Sequence, residues 1–136
     1  MTTAATTGAG IDLGIVVSDA EASLAFYRDA LGFSVAGSNP LPGGGTMHRL
    51  TCGASTLKLC APDPAASAAA PGGELFAASG IRYFTISVTN IDELVASLAA
   101  AGTPVVWSPR DIAPTARVAI VKDPDGNHVE FLQLKP

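Results

Sequence analysis

Four side chains able to carry charge or exchange a proton stand on short segments in which apolar and other residues alternate: Asp12, Lys58, Tyr83 and Glu130. A carboxylate accepts hydrogen bonds or takes up a proton, an ammonium neutralises an anion, and a phenol hydroxyl donates or accepts a hydrogen bond. Together they would form a polar centre suited to binding a small molecule or to acid–base chemistry. Whether they meet depends on the elements that carry them.

The first half of the chain predicts one strand, one helix and three further strands. Apolar residues alternate over 11–17, which is typical of a half-buried strand. Ser18 to Glu21 predicts a capping box, with Ser18 as the N-cap, and the helix should continue to residue 31 and end at Gly32. The remaining elements are a strand over 33–37, a loop over 38–45, and a hairpin of strands 46–52 and 56–60.

The same plan recurs after a connection, 61–80, that is low in complexity and predicts a surface segment. Its elements are a strand over 82–88, a helix over 90–101, and strands over 105–107, 117–122 and 128–134. The sequence therefore predicts an α+β fold in which two tandem β-α-β-β-β modules, 11–60 and 81–134, form an eight-stranded cup-shaped sheet backed by helices. We interpret 11–134 as a single domain and 1–10 as a disordered tail.

The two-residue period of the strands predicts which side chains line the cup. The apolar faces belong under the helices, so the opposite faces point inward. A concave surface with a few convergent polar groups is what a small-molecule site requires. The inward set comprises Asp12, Thr56, Lys58, Cys60, Tyr83, Thr85, Ser87, His128, Glu130 and Leu132.

Two segments carry a resemblance to a known family. They are Val17-Ser18-Asp19 leading into Ser23-Leu24-Ala25-Phe26-Tyr27-Arg28-Asp29-Ala30-Leu31-Gly32-Phe33, and Asp123-Pro124-Asp125-Gly126-Asn127-His128-Val129-Glu130. In this order, inside the repeat, they resemble the vicinal oxygen chelate superfamily of glyoxalase I, extradiol dioxygenases and bleomycin-resistance proteins. The resemblance implies a protein that binds a small organic molecule and forms a homodimer. The N-terminus lacks the charge and apolar stretch of a secretory signal, from which we expect a cytoplasmic protein.

Metal enzymes of that superfamily place His, Gln or Glu ligands on the first and last strand of each module. The resemblance puts Asp12, Lys58, Tyr83 and Glu130 at those positions, and only Glu130 conforms. An ammonium has no lone pair for a metal, and tyrosine is a rare ligand, so we expect no divalent metal and no other cofactor. One hypothesis places the Lys58 ammonium between Asp12 and Glu130 in place of the metal; the alternative is a self-satisfied polar cluster without a ligand.

Two functions remain open at this point, and whether the protein is an enzyme is not decided. The first is a small-molecule-binding protein of the bleomycin-resistance type. The second is a glyoxalase-like lyase, isomerase or dioxygenase in which Glu130, the best catalytic candidate, acts as general base, with a weak metal or Lys58 as electrophile.

Two histidines belong to the predicted ligand cavity. His48 faces the strand of Cys60, so one choice of register gives a Cys–His pair and the other a plain cavity-wall histidine. His128 would be a base or a rim residue, and histidine's usual partial exposure favours the rim.

Three other side chains have a functional and a plain interpretation. Trp107 would stack on an aromatic ligand or simply pack in the interior. Arg117 and Lys122 would anchor an anionic group at the rim or serve as solvated surface charges.

Composition excludes some classes of partner. The formal net charge is −4, with eight Lys and Arg residues against 12 Asp and Glu, and the basic residues are scattered. Nucleic acids and anionic membranes are therefore poor partners, and no apolar run reaches the roughly 20 residues that span a bilayer. Cys52 and Cys60 fall too far out of register in the predicted hairpin for a disulfide, which fits a reducing compartment.

Overall fold

A computed structural model describes residues 1–136 and contains two compact units, 1–68 and 69–136. The elements of the first unit are β1 (Leu13–Val16), α1 (Ala20–Leu24), a π-helical continuation (Ala25–Ala30), β2 (Ser34–Pro40), β3 (Gly45–Cys52) and β4 (Ser55–Pro62). Those of the second are β5 (Tyr83–Ser87), α2 (Ile91–Ala100), β6 (Val105–Ala113), β7 (Ala116–Lys122) and β8 (His128–Leu134). The predicted α+β class and both β-α-β-β-β modules are confirmed.

Each module folds into its own four-stranded sheet with the same topology. The strand orders are β1-β4-β3-β2 and β5-β8-β7-β6. The first strand runs parallel to the last in both, and the other pairs are antiparallel. The helix is the crossover that a parallel pair needs.

The helical side of each sheet holds a hydrophobic core, as the two-residue period predicts. In the first module Tyr27 is fully buried, and its ring meets those of Phe26 and Phe33 at centroid distances of 4.8 and 5.9 Å. The buried strand residues on this side include Leu50, Leu57 and Leu59 in the first module and Ala119, Val121, Val129 and Phe131 in the second.

The helix starts differ from the predicted capping. Asp19, not Ser18, is the N-cap of α1, and its Oδ1 accepts from the Ala22 amide at 3.1 Å. At α2 the Asn90 side chain makes no capping bond; instead the Ile91 amide donates to Gln133 Oε1 at 2.7 Å. A side chain from β8 thus accepts the hydrogen bond of the first amide of α2 in place of an N-cap side chain.

The predicted loop over 38–45 is shorter than expected. β2 extends to Pro40, and Gly45 already belongs to β3. The turn is fastened to β4 because the Asp63 amide donates to the Gly44 carbonyl at 3.3 Å. None of the helices is long and apolar enough to cross a membrane.

Candidate functional site

In the first module, the face of the sheet turned away from the buried leucines carries Lys58. Leu57 and Leu59 are buried on one side of β4, and Lys58 lies between them on the other. Its Nζ is 3.5 Å from Asp12 Oδ2, with 38% and 50% of the two side chains exposed. This joins two of the four side chains predicted to act together, in a pair that contributes at most about 1 kcal/mol because water screens it.

Arg49 is a second cation on this face, and the sequence interpretation missed it. The register places Arg49 directly opposite Lys58 and opposite Gly37 on its other side. The missing side chain at Gly37 leaves room for the guanidinium: a Cβ there would lie 2.5 Å from Arg49 Nη2. Arg49 Nε is buried without a hydrogen-bond partner. The tight turn between Cys52 and Ser55 is the signal that would have given this register.

The register also settles the predicted relation of His48 to Cys60. Met47 pairs with Cys60 and His48 pairs with Leu59, so the two side chains point to opposite faces. The His48 ring shares the face of the buried leucines, not that of Lys58, and its Nδ1 is 2.9 Å from Ser38 Oγ. A Cys–His nucleophile is therefore excluded. Both cysteines are free thiols.

In the second module, Glu130 is held by a neighbour on the parallel strand. Thr85 lies opposite Glu130, and Thr85 Oγ1 donates to Glu130 Oε1 at 2.7 Å. Glu130 is half-buried, whereas Thr85 is exposed. Ser87 and Tyr83 follow on the same face of β5, and both are exposed. Glu130 therefore has one oriented oxygen and a second that this hydrogen bond leaves free.

His128 is buried, which contradicts the predicted rim position. It lies opposite Tyr83 on β5 and Lys122 on β7, and only 5% of it is exposed. Burial lowers the pKa of His128, and the nearby charges of Lys122 and Arg82 lower it further. The ring is therefore neutral near pH 7, with one nitrogen able to donate and the other to accept.

The connection between the modules is not the plain surface segment that its composition predicts. Residues 71–75 of this connection are bound by Arg82, which directly precedes β5. The Arg82 guanidinium donates to the carbonyl oxygens of Pro71, Gly72, Glu74 and Leu75 at 3.1, 3.4, 2.9 and 3.0 Å. Leu75 is buried at 6% exposure. The low complexity of the segment did not indicate these anchors, because Arg82 lies outside it, directly before β5, and a single leucine has no periodic pattern.

This fastened segment forms one wall of a cavity of about 710 Å³ in the second module. Residues 73–77, Val106, Trp107, Lys122 and His128 line it together. Trp107 is half-buried and belongs to this lining, and its stacking on an aromatic ligand stays a prediction. Arg110 lies over its indole ring, with the guanidinium carbon 4.1 Å from the centroid.

The two basic residues suggested as rim anchors behave differently. Arg117 is bound to Asp92 at 2.8 Å and to Asp111 at 3.2 Å, so its charge belongs to a surface network. Lys122 forms no ion pair and lines the cavity. Within either module, no three His, Cys, Asp or Glu side chains cluster as a metal ligand set.

Comparison with known proteins agrees with this architecture. A family model described as Glyoxalase/Bleomycin resistance protein/Dioxygenase superfamily matches residues 11–131. The structure is similar to SMU.1112c, with 27% identity, a TM-score of 0.74, and coverage of 93% of this chain and 99% of that one. It is also similar to a lactoylglutathione lyase from Agrobacterium tumefaciens, with 25% identity, a TM-score of 0.64 and 93% coverage of both chains.

A glyoxalase family protein from Bacillus cereus shares the fold at 18% identity, with a TM-score of 0.84 and coverage of 99% of this chain and 100% of that one. No curated protein sequence matches the chain.

Proposed function

Because the chain belongs to the glyoxalase/bleomycin resistance protein/dioxygenase superfamily, we propose that it is a small-molecule-binding protein. We propose further that it works without a divalent metal at the position where metal enzymes of the superfamily hold one. The observation that carries this proposal is the Lys58 ammonium. It forms an ion pair with Asp12 and lies opposite Arg49 on the neighbouring strand, on the same face of the sheet.

The donor set does not fit a divalent cation. Lys58 and Arg49 bring two positive charges to this face, and Asp12 brings one negative charge, so the three groups repel a dication and favour an anion. An ammonium and a guanidinium have no lone pair to offer. In the second module Glu130 supplies one carboxylate, and one of its oxygens already accepts from Thr85.

Metal titration tests this proposal. Protein purified without chelator should contain little metal, and nickel, zinc, manganese or iron(II) should not raise its melting temperature, because Lys58 keeps a dication away. A ligand at 100 times its Kd would stabilise the fold by about 2.7 kcal/mol, a shift of several degrees. Near-stoichiometric metal, or a shift of several degrees that Glu130→Ala abolishes, would overturn the proposal.

A second candidate function is general-base catalysis by Glu130. The hydrogen bond from Thr85 orients this half-buried carboxylate, and a lactoylglutathione lyase is among the similar structures. In this proposal Glu130 takes the proton of a carbon acid, and the electron pair of the C–H bond moves into the adjacent carbonyl to form an enolate. Lys58 as the electrophile stays a prediction.

Glu130→Gln separates the two functions. It keeps the size and the hydrogen bond from Thr85 but removes the base. If the variant loses turnover but still binds the ligand, general-base catalysis by Glu130 is supported. If neither the wild-type protein nor the variant turns over a substrate, the enzyme hypothesis is rejected. Thr85→Val is the matched second variant, because it leaves the carboxylate in place without its orienting bond.

We also propose a homodimer, on the resemblance to relatives of this size. Each module exposes large apolar side chains, among them Val16 and Ile112, which a partner subunit would cover. Light scattering after size exclusion should give twice the 13.7 kDa chain mass, and a monomer across the micromolar range would contradict this.

A further inference from the structure

The second module contains a partly open cavity whose lining is specific enough to name a class of ligand. Its volume of about 710 Å³ lies within the range of small-molecule pockets. The inference drawn from it rests on the proposed function and deepens it, since it concerns what the protein binds.

Part of the cavity lining is aromatic and apolar. Trp107 and Val106 on the same strand contribute to it, together with residues 73–77. Arg110 lies over the indole with its guanidinium carbon 4.1 Å from the ring centroid, which restrains the ring. A fixed indole offers a large contact area to a planar molecule at little cost in conformational entropy.

Another part of the lining is polar, with one cation and one histidine. Lys122 is half-buried and forms no ion pair, and His128 beside it is more than nine-tenths buried. A half-buried ammonium without a counter-ion favours an anion, and the neutral imidazole adds a donor. Glu74, the acidic residue of the lining, is exposed.

The segment that contributes residues 73–77 to the cavity lining is held in place by hydrogen bonds and by a buried leucine. Arg82 binds the carbonyl oxygens of residues 71–75, and Leu75 is buried. A wall fixed before binding costs a ligand little ordering entropy.

From these features we infer that this cavity binds a planar aromatic molecule that carries one anionic group. The ring lies against Trp107, and a carboxylate or a similar anion meets Lys122 and His128.

The test uses 2-naphthoate and its uncharged counterpart 2-naphthamide as probes in isothermal titration calorimetry. Trp107 is the only tryptophan, so the single indole N–H signal in a ¹⁵N spectrum reports this cavity. Naphthoate should bind roughly ten- to a hundredfold more tightly than naphthamide, because hydrogen bonds to a charged group are stronger than those to a neutral one. It should also shift the indole signal. Lys122→Met should abolish the preference and Lys122→Arg should restore it.

Lys135→Met is the matched control, because Lys135 is bound to Asp111 and is not part of the lining. It should leave both affinities unchanged. Equal affinity for the two probes, an unmoved indole signal, or no binding of either would overturn the inference. Weakening by Lys58→Met instead of Lys122→Met would also overturn it while leaving a small-molecule-binding protein in place.

Discussion

Replacing Arg82 by Met should detach the segment 71–75 from the second sheet without unfolding the sheet. The variant keeps the apolar part of the side chain and removes four hydrogen bonds to backbone carbonyls. The bond to Leu75 is partly buried, and the other three are exposed. A net value of about 0.5 kcal/mol for each exposed bond and about 1.5 kcal/mol for the buried one gives roughly 3 kcal/mol in total.

This free energy measures local opening, not global unfolding. The global free energy of unfolding can fall by no more than the free energy that now holds the segment closed, because the open form still has an intact sheet. The sharper assay is therefore amide hydrogen exchange at Ala77, in the turn that begins at Glu74 and leaves the segment. The Ala77 amide is bonded to the Glu74 carbonyl at 3.0 Å, and its exchange should accelerate by up to about a hundredfold, since 1.4 kcal/mol is a factor of ten.

Two control variants test whether the effect is specific to the Arg82 hydrogen bonds. Arg82→Lys keeps the charge but not the planar fork, so its effect should be intermediate. Arg28→Met removes an exposed arginine that is bound to Asp29 and should leave the segment unchanged. Unchanged exchange at Ala77 in a folded Arg82→Met protein would refute the reasoning, because the segment would then be held by Leu75 and its turn alone.

Three further outcomes follow from individual side chains. Because burial lowers the pKa of His128, the unfolded chain takes up a proton at this residue before the folded protein does as the pH falls. The stabilising effect of the neutral ring should be full above about pH 6.5 and be lost as the pH falls through the folded-state pKa. His128→Leu should therefore weaken the pH dependence of the unfolding free energy, measured with urea between about pH 7.5 and 5.5. Gly45→Ala should lower the free energy of unfolding by more than about 2 kcal/mol, because the new Cβ would meet the Ala61 carbonyl and the backbone φ is +94°. Gly37→Ala should lower it by less than about 1 kcal/mol in thermal unfolding, because the new Cβ meets only the movable end of the Arg49 side chain. Asp123→Ala should cost about 2–4 kcal/mol in the same assay, because the buried carboxylate accepts from three N–H groups of the turn that follows it; a loss below 1 kcal/mol would show that water replaces them.

The periodicity of the chain was enough to predict the two modules, the order of their strands and the buried face of β4. The reason is that a two-residue period, a helical period and a turn each depend on neighbours along the chain. Thus Leu57 and Leu59 are buried on one side of β4 while Lys58 lies on the other, as their alternation requires. The family was within reach for the same reason, since its motifs are contiguous segments.

Contacts between side chains on neighbouring strands could not be predicted from the sequence, because they depend on strand register and pairing. Arg49 stands opposite Lys58 because a turn fixes the register, and shifting that register by one residue would have exchanged Arg49 for His48. Arg82 reaches back to carbonyls in a segment of low complexity, and backbone oxygens leave no trace in a sequence. His128 is buried beside Lys122 because strand pairing, not its own neighbours in the chain, sets its surroundings.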